Sequence, residues 1–167
     1  VAEAVRVSLS PAFYLPFIRS VFSPEFRSLV ERTCLDSKID LVHDHGLWLP
    51  SNHAVASVCR ALRLPRVVSP HGMLNSSALD HGGAKKVLAW RFFQRQDLLS
   101  SVAICVTSGQ EADHVRGMGL GKPIAVIPHG VELPTFPTRT ARATGPRAAL
   151  FLGRIHPLKG LLNLVNA

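Results

Sequence analysis

Ile39-Asp40-Leu41-Val42-His43-Asp44-His45-Gly46 is a short apolar and β-branched run that breaks into two histidines, an aspartate and a glycine. Bounded by turn residues and too short for a helix, it reads as a buried strand over Ile39 to His43 that feeds a loop. The pattern recurs downstream. Val67-Val68-Ser69 runs into Pro70-His71-Gly72, Val102 to Val106 into Ser108-Gly109, and Ile124 to Ile127 into Pro128-His129-Gly130-Val131. The intervening segments have helical spacing, so strand alternates with helix and the fold class is α/β, a doubly wound parallel sheet.

The helices have their own signals. Ser23-Pro24-Glu25 reads as an N-cap, a first-turn proline and a dipole-favourable acid, opening a helix to about Leu35. Ser51-Asn52 opens a second through Leu62, closed by Pro65, and Ser108 with Glu111 fits a capping box that starts another. From Gly83 to about Ser100, Leu88, Phe92 and Leu99, broadened by Ala89 and Phe93, form a stripe expected to pack on the core. Lys85, Lys86, Arg91 and Arg95 give that helix a basic outer edge.

Length and composition set the outer limits. Across 167 residues, 47% hydrophobic, there is enough apolar material for an ordinary core, which excludes global disorder. No uncharged stretch approaches the ~18–20 apolar residues of a bilayer crossing, and Val1 to Ser10 lacks the ordered parts of a secretory signal, so a cytoplasmic setting is expected. Cys34, Cys59 and Cys105 are widely spaced in apolar settings and read as buried free thiols. Val1 is not an initiator Met, and Ala167 interrupts the pattern Leu161, Leu162, Leu164, Val165. A fragment of a longer polypeptide is expected.

The first domain is expected over 1–134. Residues 135–147, rich in Thr, Arg and Pro without an acid, read as a linker, and 148–167 as the start of a second α/β domain. Parallel sheets bind ligands at the C-terminal ends of their strands, and His45, His71, Ser108 and His129 fall there. His71 beside Gly72 is placed to act as a hydrogen-bond partner or electrostatic stabiliser, although a structural histidine would look the same. His43 is expected to face the core, on the side opposite His45, so that the two share no metal. Asp44 or His45 is expected to face the crevice with Gly46, as a base or hydroxyl-binding group. In the expected second domain Gly153-Arg154 and Lys159-Gly160 flank a strand-to-helix turn that suits a diphosphate, or is merely a solvated basic turn. The net charge of +8 admits nucleic acid, but its dispersion and the lack of interleaved aromatics argue against it. The local basic patches also suit an anionic membrane surface.

Taken together, Val42-His43-Asp44-His45-Gly46, Ser69-Pro70-His71-Gly72-Met73-Leu74, Ser108 with Glu111, Ile127-Pro128-His129-Gly130-Val131 and Phe151-Leu152-Gly153-Arg154-Ile155-His156-Pro157-Leu158-Lys159-Gly160 resemble the group 1 glycosyltransferases, glycosyltransferase family four. The resemblance implies the GT-B architecture of two Rossmann-like domains. It implies retaining, metal-independent, hexosyltransferase-like transfer from a nucleotide diphosphate sugar, with no further cofactor. A glycan or lipid-linked acceptor would be extended in cell-surface polysaccharide synthesis, of the lipopolysaccharide or exopolysaccharide kind, with peripheral contact at the inner face of an anionic plasma membrane as one setting. By the same resemblance Arg154 and Lys159, with Gly153, would bind the donor diphosphate and His71 would face the donor sugar, while Asp44, His45, Gly46 and Gly72 would line the acceptor-side crevice. The chain departs from the family where Pro-His129-Gly130 replaces the usual Pro-Asn-Gly. The Gly-rich first-strand turn and the paired donor-domain glutamates are missing, so this chain alone is expected to be inactive. The competing readings are a non-catalytic anion or nucleic-acid binding module, and a sugar-phosphate isomerase sharing only the fold.

Overall fold

The computed structural model describes residues 7–15, 20–75, 83–133, 149–155 and 159–166. They fall into two units, Val1–Gly130 and Val131–Ala167. The first opens with a feature that the sequence pattern did not suggest, an antiparallel pair of β1 (Phe13–Leu15) and β2 (Ser20–Phe22). Helix α1 (Phe26–Asp36) follows, and its N-cap position is Glu25 rather than Ser23, without a side-chain cap.

β3 (Val42–His45) lies a few residues later than expected, because its register is set by pairing with β4 (Arg66–Ser69), Val42 opposite Arg66 and His45 opposite Ser69. Between them runs α2 (Pro50–Leu62), with proline in its first turn, where no N–H is missed, and left-handed Arg63 at its C-cap. β5 (Ala103–Val106) and β6 (Ile124–Val126) extend the sheet in parallel, giving the order β3-β4-β5-β6. This is an α/β Rossmann-like fold, a parallel sheet flanked by helices. Its centre is Val68 and Ile104, both fully buried, packed with Leu47, Leu74, Leu98, Val106, Ala112, Val115 and Leu120.

The chain joins β4 to β5 through α3 (Gly83–Ala89), a π-helical segment (Trp90–Gln94) and α4 (Arg95–Leu99). The core stripe expected here holds only at its end: Leu99 packs against the core and Leu98 is fully inside, but Leu88 and Phe92 are 58% and 73% exposed. After β5, Ser108 caps α5 (Gly109–Gly117), its hydroxyl accepting from the Glu111 amide at 3.2 Å. Cys34 and Cys59 are free and buried, while Cys105 is half-buried.

In the second unit α6 (Leu161–Asn166) forms. The strand expected over Ala148 to Leu152 does not: the described part, 149–152, has no strand, Leu150 and Leu152 are exposed, and no described segment of that unit pairs with it. The expected linker lies outside the described residues.

Candidate functional site

The ends of the parallel strands collect imidazoles. Alternation along β3 puts residues two apart on one face, so His43 and His45 share a side and Asp44 points to the other. This corrects the expectation that separated them: both rings are exposed, with centroids 4.2 Å apart. His43 therefore does not face the core. Its Nε2 lies 2.8 Å from the Ser69 hydroxyl, and partial desolvation followed by the neighbouring His45 and His71 pushes its pKa down, against an opposing effect of Asp44.

Gly46 follows at φ 86°, where an L side chain would be strained, and its N–H donates to Ser69 O at 2.9 Å, so the chain leaves β3 while still tied to the end of β4. There His71 and Gly72 are both left-handed, at φ 51° and 74°. A non-glycine residue in that region is held there by its surroundings. One clamp is local, the Met73 amide donating to Pro70 O at 3.1 Å.

The other clamp is long-range. The Gly72 amide donates to Glu111 Oε1 at 2.6 Å, while Glu111 Oε2 accepts from the Thr107 amide at 2.9 Å and its hydroxyl at 3.1 Å. Glu111 is 4% exposed. Burial alone would raise its pKa, but those hydrogen bonds and the nearby His71 outweigh burial and hold the carboxyl below the ordinary glutamate range.

His71 is thereby presented between two other imidazoles. His45 Nδ1 and His71 Nε2 are 2.8 Å apart, and the His71 ring stacks with His45 at 5.1 Å and with His129 at 5.8 Å. When both rings of the first pair are neutral, one nitrogen donates and the other accepts, so each fixes the other's tautomer. Beside them opens a cavity of about 230 Å³ lined by His71, Gly72, Thr107, Ser108, Glu111 and His129. Asn75 also lines it and has a buried Oδ1 with no hydrogen-bond partner. Sequence reasoning missed Asn75 altogether and assigned Glu111 only a capping role.

Asp44 does not face this crevice. It is buried, its Oδ1 accepting from Asn52 Nδ2 at 2.7 Å and its Oδ2 from the Arg66 guanidinium at 2.9 Å. Burial raises its pKa, outweighing Asn52 and Arg66, which pull the other way. Arg66 also donates to Asp97 O, and the Asp97 carboxylate pairs with Arg60 at 2.7 Å and His53 at 2.8 Å. These ions link β3, β4, α2 and α4 beneath the site. Asn52 carries the link upward by donating to His45 O at 3.1 Å. Of the residues expected at the crevice, Gly72 lines the cavity; His45 reaches it only through its contact with His71, Gly46 is buried at the end of β3, and Asp44 is buried in the ion cluster.

Gly153, Arg154 and Lys159 belong to the second unit, where Arg154 and Lys159 are exposed and Gly160, at φ 64°, leads into α6. Among the described residues no group of His, Cys, Asp or Glu is arranged to hold a metal ion.

Residues 1–130 match a family model described as glycosyl transferase 4-like domain. No curated protein and no solved structure gave a match.

Proposed function

The chain belongs to the glycosyl transferase 4-like family, a family of sugar-transferring domains, and from that premise we propose that it serves a retaining transfer from a nucleotide diphosphate sugar to a glycan or lipid-linked acceptor. The observation that carries this reading is the left-handed His71, clamped through Gly72 by Glu111 and stacked between His45 and His129 at the mouth of a polar cavity. A ring held in this way loses little freedom when a substrate arrives, and positioning of that kind is a major source of rate.

His71 faces the reacting sugar in this proposal. It offers an imidazole edge to a sugar hydroxyl or to charge developing at the breaking bond, and His45 sets its tautomer. Asn75 and Gly72 border the acceptor-side crevice. Arg154 and Lys159, with Gly153, hold the donor diphosphate: fixed cations stabilise the negative charge that grows on the leaving group. The domain arrangement follows the same reading, with 1–134 on the acceptor side, 135–147 as linker and 148–167 opening the donor side. Nucleotide sugar and acceptor are substrates here, and no resident cofactor takes part.

The test is donor kinetics in protein that carries both domains. Lys159→Ala should raise the donor KM or lower kcat by about tenfold or more, the loss expected when a contact to developing charge is removed. His71→Ala should lower kcat with little change in donor KM. Unchanged kinetics in both variants, or a product that is not a glycoside of the acceptor, would refute the proposal.

A further inference from the structure

Apart from the strand-end histidines, a cavity of about 570 Å³ lies between the segment 8–12 and the starts of α1 and α2. Its volume falls within the ~300–1,000 Å³ of small-molecule sites. Pro50, His53, Ala54 and Ser57 line it at helical spacing, so one face of α2 forms a wall. Phe26 and Leu49 add apolar surface and Ser51 a hydroxyl, and no acid is among its described lining residues. One wall residue is held in a fixed orientation. His53 Nδ1 lies 2.8 Å from Asp97 Oδ2, and Asp97, its side chain 4% exposed, also accepts from Arg60 at 2.7 Å. The His53 ring packs on Phe93, with centroids 5.1 Å apart. An ionised carboxylate can only accept, so Nδ1 carries the proton. In the neutral ring Nε2 is then an acceptor, at the opposite edge and without a hydrogen bond among the described residues.

We propose that this cavity is a carbohydrate subsite for the acceptor, in which His53 Nε2 accepts a hydrogen bond from a sugar hydroxyl while Phe26, Leu49 and Pro50 meet the apolar C–H face of the ring. The inference rests on the transferase reading for the identity of its ligand, and the mixed lining selects a sugar ring within that reading. A donor diphosphate would meet a single arginine there, Arg27, among the described lining residues, whereas neutral hydroxyls find partners in Ser51, Ser57 and His53. The position fits as well. α2 starts from the C-terminal end of β3, and Asn52 ties its first turn to His45 O at 3.1 Å, so the cavity is joined to the strand ends that carry His71.

The experiment is transfer to a panel of p-nitrophenyl hexopyranosides by protein that carries both domains, with donor and acceptor KM measured separately. Asparagine and glutamine each copy one edge of the imidazole. His53→Asn still donates to Asp97 but offers nothing at the Nε2 position, so the acceptor KM should rise about tenfold or more, with donor KM unchanged and Tm close to that of the parent. His53→Gln reaches the Nε2 position and should recover most of that loss. Ala54→Leu, which fills the cavity from α2, should raise the acceptor KM to a similar extent, and circular dichroism verifies that each variant is folded. Transfer with an acceptor KM that none of these changes moves would overturn the subsite and leave the transferase reading standing. So would His53→Asn behaving like the parent while His53→Gln is impaired, the order expected if His53 only braces Asp97. A rise confined to the donor KM would also overturn it, by assigning the cavity to the donor. Failure of the parent to form any glycoside would refute the transferase reading, and the ligand named here with it.

Discussion

Replacing Glu111 by Gln tests the clamp under His71 directly. Nearly the whole side chain is buried and accepts from the Gly72 amide, the Thr107 amide and the Thr107 hydroxyl. Glutamine can still offer one oxygen, but its NH2 then meets a donor, leaving a buried N–H unpaired. A stranded buried donor costs about 1–3 kcal/mol, and loss of the charge weakens the surviving bonds, so we expect a destabilisation of ~2–3 kcal/mol. For a chain of this length that lowers Tm by roughly 5–10 °C. The pH dependence is more diagnostic. Because the folded-state pKa of Glu111 is lowered, its contribution is present above the ordinary glutamate value near ~4.3 and is lost as pH falls through the depressed folded value. The Tm gap between parent and Glu111→Gln should therefore be widest near neutrality and close below about pH 4, while carboxylates common to both proteins cancel. Thermal unfolding followed by circular dichroism across that range reads the gap. A gap under about one degree at neutral pH, or one that widens on acidification, would refute the clamp.

Two further substitutions separate structure from chemistry. Asp44→Asn leaves Arg66, only 3% exposed, without its counter-charge; we expect a loss near the low end of ~3–5 kcal/mol, since the carboxylate's own burial cost is relieved, and a Tm fall of roughly 10 °C by denaturation. A stable variant with altered acceptor kinetics would instead return Asp44 to the crevice. His71→Gly should be more stable than His71→Ala by about 0.5–1 kcal/mol, because glycine occupies the left-handed region without a Cβ penalty; the reverse order in urea unfolding would mean that the turn is not strained at His71.

Much of the sheet was legible because its signals are local. Short β-branched runs ended by Pro-His-Gly, and Ser108 three residues before Glu111, name their own conformations, and the structure keeps those elements within a few residues. What failed was non-local. Asp44 meets Arg66 because β3 and β4 pair in register, and nothing near Asp44 in the chain announces a cation. Glu111 reads as half of a capping box, yet its carboxylate also reaches the Gly72 amide, a contact that exists only once β4 and β5 lie side by side. His45 and His71 were visible as strand-end histidines. Their hydrogen bond, and the stack onto His129, come from the sheet order.

The segment before β5 fails for a different reason, and it is the one that gives the molecule its outward apolar face. A stripe drawn through Leu88, Phe92 and Leu99 assumes an unbroken α-helical period, in which each residue turns the chain by about 100°. Trp90–Gln94 is wound as a π-helix, which takes an extra residue per turn, so the residues before it are out of phase with those after it. Leu98 then packs fully inside while Leu88 and Phe92 stay in water. Buried Gln94 shows what accompanies the altered winding: its Oε1 accepts from the amide of Trp48 at 2.8 Å, and Trp48 is itself left-handed at φ 71°, three residues past the end of β3. The winding that lets Gln94 satisfy that amide also moves an apolar stripe from core to surface. A sequence that looks over-supplied with core residues here carries part of that apolar material on the surface of the folded chain.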